Sequence, residues 1–283
     1  MSGRFALTIA VLAALAGAAD AAESAREILD RQRGLADGAR RWSDRQQTLS
    51  MEVLDPSRAP RTLVLDLFDK HEPAGAQRTM LYLSAPRSVQ GTALLAVTHP
   101  GRAADQWLYL PEQRRARRIA GAARTQPFLG TDFTYHDLDL LAEMPSWSEA
   151  DAEAVLRGDG VVDGTACHDI ELTPRREDIG YARIRLWLGK EDLVARRVDL
   201  FASAPTSGWF GAADESPVPT RRITQSDVRL VGAIPVPHRA EVETPAVGTK
   251  TVVTFAKVTF DQQLPDDLFT QAALEWGGYR PRR

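Results

Sequence analysis

Strand-length apolar runs recur along this chain about every 8–12 residues, with turn signals between them, a rhythm that belongs to antiparallel sheets, sandwiches and barrels. The alternation is cleanest near the start. Leu49, Met51 and Val53 point one way while Thr48, Ser50 and Glu52 point the other. After Asp55-Pro56-Ser57, Leu63, Leu65 and Leu67 repeat the pattern opposite Thr62, Val64, Asp66 and Phe68. A period of two with one apolar face is the mark of a half-buried antiparallel strand. Further strands are expected at 79–83 and 92–97. Residues 106–110 and 114–119 form a hairpin across Pro111-Glu112-Gln113, with one apolar arm and one arm carrying Arg114, Arg115, Arg117 and Arg118.

The β rhythm breaks between Gly121 and Ser148, where aromatics (Phe128, Phe133, Tyr135) alternate with Pro127 and Gly130. An irregular stretch of that length inside a compact domain is uncommon and usually functional. Strands resume at 152–157, 166–173, 183–188, 194–201, 222–230, 236–243 and 251–260. The first hairpins of this second set are marked by Asp163-Gly164 and Gly189-Lys190-Glu191-Asp192. Helical patterns are confined to 23–41, where Ser24 and Glu27 form a capping-box pair, to a short turn or helix at Tyr135-His136-Asp137-Leu138, and to 265–274. No repeat or linker divides the chain, so residues 22–276 are expected to form one domain, followed by a basic tail at 277–283. These rules alone leave barrel, sandwich and open half-barrel undecided.

The chain opens with Arg4 and an apolar run from Phe5 to Ala19, too short for a spanning helix of about 20 residues. Small residues at Ala19-Asp20-Ala21 suit a leader at 1–21 that is removed on export. With Cys167 the single cysteine, no disulfide can form within the chain, and stability must come from an apolar core. Lys+Arg 35 against Asp+Glu 38 gives a net charge of -3, which argues against nucleic acid as a partner. Residues 205–219, rich in Pro, Gly and Ser, carry Trp209-Phe210 as a candidate exposed contact with a membrane or partner.

Catalytic constellations are weak. Cys167-His168-Asp169 has triad residue types, but neighbours on a strand face opposite ways and cannot converge. Asp132, His136, Asp137 and Asp139 include metal-ligand types at a spacing that matches no metal motif. No phosphate loop or nucleophile elbow is present.

The ordered set Pro86-Arg87-Ser88-Val89-Gln90-Gly91-Thr92-Ala93-Leu94-Leu95, Trp107-Leu108-Tyr109-Leu110-Pro111, Arg117-Arg118-Ile119 and Phe128-Leu129-Gly130-Thr131-Asp132-Phe133-Thr134-Tyr135 resembles the LolA-like outer-membrane lipoprotein-sorting family. The resemblance implies a mainly β fold: a curved, unclosed antiparallel half-barrel with a few helices over its concave face, enclosing an apolar cavity. It implies no catalysis, metal or cofactor. It further implies a monomeric periplasmic carrier of lipid or lipoprotein acyl chains. An inner-membrane transporter, an export pump of the resistance-nodulation-division type, would be its donor, and the outer-membrane acceptor is undefined. The rival reading is an envelope sensor or scaffold that uses the same cavity to regulate a partner.

On this basis the candidate ligand contacts are Leu63, Leu65, Leu67, Met80, Tyr82, Leu95, Trp107, Tyr109, Phe128 and Phe133. Leu63 and Leu65 are expected on the concave face, packed loosely enough for a folded Leu65→Asp variant. Arg115 and Arg117 are candidates for a headgroup or acidic partner, or else form a solvated arm that blocks edge-to-edge pairing.

Overall fold

The computed structural model describes residues 23–73, 75–202 and 218–275. The expected leader, nearly all of the 205–219 loop with Trp209-Phe210, and the basic tail lie outside the described residues. Helix α1 (Ala25–Asp37) precedes six strands: β1 (Asp44–Leu54), β2 (Arg61–His71), β3 (Gln77–Ala85), β4 (Ala93–His99), β5 (Arg102–Leu110) and β6 (Arg115–Ile119). Helix α2 (Tyr135–Glu143) follows. Seven more strands complete the sheet: β7 (Ala152–Val162), β8 (Thr165–Pro174), β9 (Tyr181–Gly189), β10 (Ala195–Ala202), β11 (Arg221–Val231), β12 (Ile234–Thr244) and β13 (Thr249–Phe260). A one-turn helix α3 (Gln271–Leu274) comes last.

All 13 strands lie in one antiparallel sheet, in the order β6-β5-β4-β3-β2-β1-β13-β12-β11-β10-β9-β8-β7. The sheet is curved and unclosed, as the resemblance implied. Two meanders meet at its centre, where β1 pairs with β13 from Arg45↔Phe260 to Leu54↔Lys250. Local chemistry builds the meanders. The two-residue link between β7 and β8 is Asp163-Gly164, with φ of 47° and 78°. A twisted hairpin needs positive φ at both central residues, which Asp and Gly tolerate.

The inner face is one apolar cluster drawn from every strand, the edge strand β7 contributing Ala152. Leu49, Met51, Leu63, Leu65, Leu81, Leu83, Leu94, Leu108 and Ile119 come from the first wing. Ile170, Leu172, Ile184, Leu186, Leu188, Val198, Leu200, Ile223, Val242 and Val253 come from the second. The two outer faces differ. On the first wing Phe68, Met80, Tyr82, Ala93, Leu95 and Tyr109 form a second apolar cluster, roofed by Leu264, Leu268, Phe269, Ala273 and Leu274. Asp44 accepts from the main-chain N–H groups of Gln262 (2.8 Å) and Leu264 (3.2 Å), fastening the start of that roof.

On the second wing the outer face carries directly opposed residues of alternating sign across six strands: Glu171, Arg185, Asp199, Arg222, Glu243 and Lys250. Arg222 donates to Asp199 at 3.1 Å and Lys250 to Glu243 at 2.9 Å. Each opposed pair adds roughly 0.2–1 kcal/mol, and a face so charged can stay wet.

Candidate functional site

Strands β6 and β7 are consecutive in the chain yet form opposite edges of the sheet. The segment 120–151 therefore has to cross from one edge to the other, and it does so over the inner face as a strap. Phe128, Phe133 and Tyr135 drop from it into the inner cluster. Phe128 meets Tyr135 edge-on at 5.6 Å between ring centroids. Thr134 caps α2 in a capping box with Asp137. Just before it, Leu129 and Gly130 take φ of 47° and 68°. At Gly130 a Cβ would stand 2.7 Å from Nη2 of Arg61, the guanidinium on β2 that donates to the Leu129 carbonyl. Glycine at this position lets the strap lie close to the arginine.

Three buried aspartates pin the strap, each to a different place. Asp132 accepts from the hydroxyls of Thr244 (2.7 Å), Thr249 (2.5 Å) and Thr251 (2.7 Å), and its own N–H donates to Thr251 Oγ1 (2.9 Å). Asp137 accepts from Tyr181 at 2.5 Å and Arg221 at 3.0 Å. Asp139 accepts from Gln106 at 2.7 Å and Arg124 at 2.8 Å. His136 Nε2 lies 2.5 Å from the Ile179 carbonyl oxygen. The carboxylates considered as metal ligands thus diverge toward β12–β13, β9–β11 and β5.

Burial pushes the Asp139 carboxyl up to about 7, against the opposing pull of Arg124 and Gln106. Burial likewise raises Glu143 and lowers His136. With an ordinary value of 3.8, Asp139 in the folded state holds a proton that the unfolded chain has lost between about pH 4 and 7. Its contribution is fully present below that window and lost as pH rises through 7. Asp139→Asn is therefore expected to flatten the fall in thermal midpoint between about pH 4 and 7. Melting curves of both proteins across that range check it. His136 acts in the opposite sense below about pH 6.5, and Glu143 in the same sense; both remain in the variant, so the difference between curves isolates Asp139.

Helix α1 covers the second wing. It buries Ala25, Ile28 and Leu29 in the inner cluster and is tied by side-chain bonds to main-chain carbonyls. Arg26 reaches Ala152 (2.9 Å), Gln32 reaches Leu193 (2.9 Å) and Arg33 reaches Trp147 (2.8 Å), while Arg40, just past the helix end, reaches Asp192 (2.6 Å). Between α1 and the end of the strap lies a cleft of about 40 Å³, bordered by Arg26, Leu29, Met144, Trp147, Leu172 and Leu186. Small-molecule sites typically offer about 300–1,000 Å³. The residues of the inner cluster are buried, so a guest on that face would require α1 or the strap to move.

The candidate contacts divide between the two faces. Leu63, Leu65, Leu67, Phe128 and Phe133 belong to the inner cluster. Met80, Tyr82, Leu95, Trp107 and Tyr109 belong to the outer cluster beneath the C-terminal roof, where the Tyr82 hydroxyl donates to the Ala273 carbonyl at 2.9 Å. One ligand cannot touch both sets through a sheet. The reason lies in β3–β5, which are apolar on both faces, so that neither alternation nor aromatic content distinguishes inside from outside. Register does so once Leu65 is placed: it faces Leu83, and Leu81, Leu94 and Leu108 follow across the ladder. Leu65 is 1% exposed, a fully buried position. Arg115 and Arg117 are exposed on the edge strand, opposite Leu110 and Leu108, at the rim of the inner face. Arg26 and Trp147 carried no sequence signal beyond their residue types.

This covered half-barrel is similar in fold to three solved structures, a LolA superfamily protein and a lipoprotein-sorting domain among them, each covering 89% of this chain. A DUF1329 family protein from Desulfovibrio piger is 21% identical, matched over 100% of its own length with a TM-score of 0.76. A putative outer membrane lipoprotein-sorting protein domain from Vibrio parahaemolyticus is 21% identical, matched over 98% with a TM-score of 0.75. A LolA superfamily protein from Nitrosomonas europaea is 17% identical, matched over 100% with a TM-score of 0.63. The model of a family described as "-like: Uncharacterized protein" matches residues 75–276, well over half of the chain, and the chain belongs to that family. No curated protein matches it. Among the described residues no helix is long and apolar enough to cross a membrane.

Proposed function

We propose that this protein is a periplasmic carrier that shields the acyl chains of a lipid or lipoprotein between the inner and outer membranes. The observation that supports this reading is the continuous apolar inner face, covered by α1 and the strap rather than by a second sheet. Both covers are held by discrete polar bonds at named points, and such bonds can be exchanged. Each buried CH₂ contributes about 0.8 kcal/mol, so an acyl chain crosses water only inside an apolar container. A ligand opens the site only as far as it binds the open form better than the closed one. The donor would be an inner-membrane transporter and the acceptor a component of the outer membrane, with the carrier acting as a monomer. Solvent extraction of the purified exported protein followed by mass spectrometry, and transfer of labelled lipid to acceptor vesicles, test this. Bound acyl lipid that moves to vesicles supports the carrier; absence of both bound and transferable lipid overturns it.

Arg115 and Arg117, at the rim, suit an anionic headgroup or an acidic docking partner. Replacing both by alanine is expected to slow transfer several-fold from vesicles containing phosphatidylglycerol, while stability changes by less than about 1 kcal/mol because exposed charges contribute little. Transfer assays run beside chemical denaturation check both halves of that expectation.

A further inference from the structure

Two residues that border the small cleft beside α1 carry buried hydrogen-bond donors that the fold does not use. Trp147 is 6% exposed, and its indole Nε1–H makes no hydrogen bond among the described residues. Arg26 commits Nη2 to the Ala152 carbonyl at 2.9 Å, while its buried Nη1 makes none. No carboxylate of the described residues pairs with Arg26. Its position is also unfavourable for a cation, because it lies in the first turn of α1, where the helix dipole favours negative charge. A buried donor without a partner costs free energy, and a guanidinium more so. Leu29, Met144, Leu172 and Leu186 make the rest of the wall apolar except at Gln32, whose amide N–H is committed to the Leu193 carbonyl at 2.9 Å.

Two donors and apolar walls select a group that only accepts hydrogen bonds and continues into hydrocarbon. We propose that this cleft receives the oxygen-bearing end of an acyl chain, with Arg26 as its charge partner and Trp147 as a second donor. The inference rests on the carrier reading and adds to it a polar anchor and a direction for the chain. At about 40 Å³ the cleft takes the oxygen head and little more. The tail then has to displace Met144, whose unbranched side chain repacks readily, or lift α1 from the strap. The shared chemistry is an acceptor oxygen on an acyl chain, supplied by a free fatty-acid carboxylate or by an ester carbonyl.

Purified full-length protein, stripped of lipid, is titrated with sodium oleate, methyl oleate and oleylamine. Trp147→Phe removes the N–H and keeps an aromatic ring; Arg26→Gln removes the charge. Both variants are expected to weaken oleate by about tenfold or more, as loss of a charge-assisted hydrogen bond does, and to leave oleylamine within about twofold. Methyl oleate weakened only by Trp147→Phe identifies the ester carbonyl as a second acceptable source; methyl oleate unaffected by either restricts the site to carboxylates. In wild-type protein the Trp147 indole N–H resonance, assigned by through-bond NMR experiments on the wild type, is expected to shift with oleate and stay fixed with oleylamine, a readout that decides the matter if a variant does not fold. Oleate bound equally by wild type and both variants, or all three probes weakened alike, overturns the anchor and leaves the carrier standing. Wild-type protein that binds none of the probes overturns both.

Discussion

Leu65→Asp is expected to leave no folded protein. Leu65 is 1% exposed, between Leu49 on β1 and Leu83 on β3, at the middle of the inner cluster. Removing its side chain alone should cost about 2–5 kcal/mol, the usual range for a buried leucine cut to alanine. An unpaired carboxylate in the same place adds several kcal/mol more unless it takes up a proton. The sum rivals the whole stability of a typical domain, about 5–15 kcal/mol. Soluble yield and far-ultraviolet circular dichroism read the result. Leu65→Ala, by contrast, should remain folded with a lower denaturation midpoint. A folded, soluble Leu65→Asp protein would mean that the inner face is far looser around β2 than the packing described above.

Asp132→Ala is expected to release the strap while leaving the sheet in place. The three threonine hydroxyls of β12–β13 lose a buried acceptor. Each hydroxyl left unsatisfied costs roughly 1–3 kcal/mol, reduced where water enters. A net loss of about 3 kcal/mol would raise local opening by about a hundredfold. Hydrogen exchange should show this as faster exchange of amides across 120–147, with those of β8 and β9 unchanged. On the carrier reading, lipid uptake from vesicles should accelerate as well. Uniform acceleration through sheet and strap together would mean that the strap does not open as a unit of its own.

Much of this architecture is legible in the residues. The strand positions follow from period-two runs and turn chemistry, and the helix expected at 23–41 forms over Ala25–Asp37, ending at Gly38. The break in β rhythm after Gly121 coincides with the strap. Three features could not be read locally. Strand order is one: nothing near Ile119 or Ala152 says that these positions lie at opposite edges. The inside of β3–β5 is another, since Met80, Tyr82 and Leu95 are as apolar as Leu81, Leu83 and Leu94 that face the strap. The third is the set of pins. Asp132 and Thr251 look like an isolated acid and a strand hydroxyl until the fold places them 2.7 Å apart. The choice of a half-barrel over a closed barrel came from the family resemblance, because strand rhythm is the same in both.

The seam between β1 and β13 has a consequence for how the chain reaches this state. Every other strand pairing joins sequence neighbours, so each wing can form by successive local hairpins; the seam alone joins Arg45 to Phe260. Bringing such distant segments together incurs loop-closure entropy before any contact offsets it, which makes non-local pairing slow. The two wings should therefore be structured before the centre of the sheet closes. Until it closes, both β1 and β13 are unpaired edges with alternating apolar side chains, and an edge of that kind recruits other chains. For this protein the hazard of aggregation during folding is concentrated at the middle of the finished sheet, while its finished outer edge at β6 is guarded by arginines.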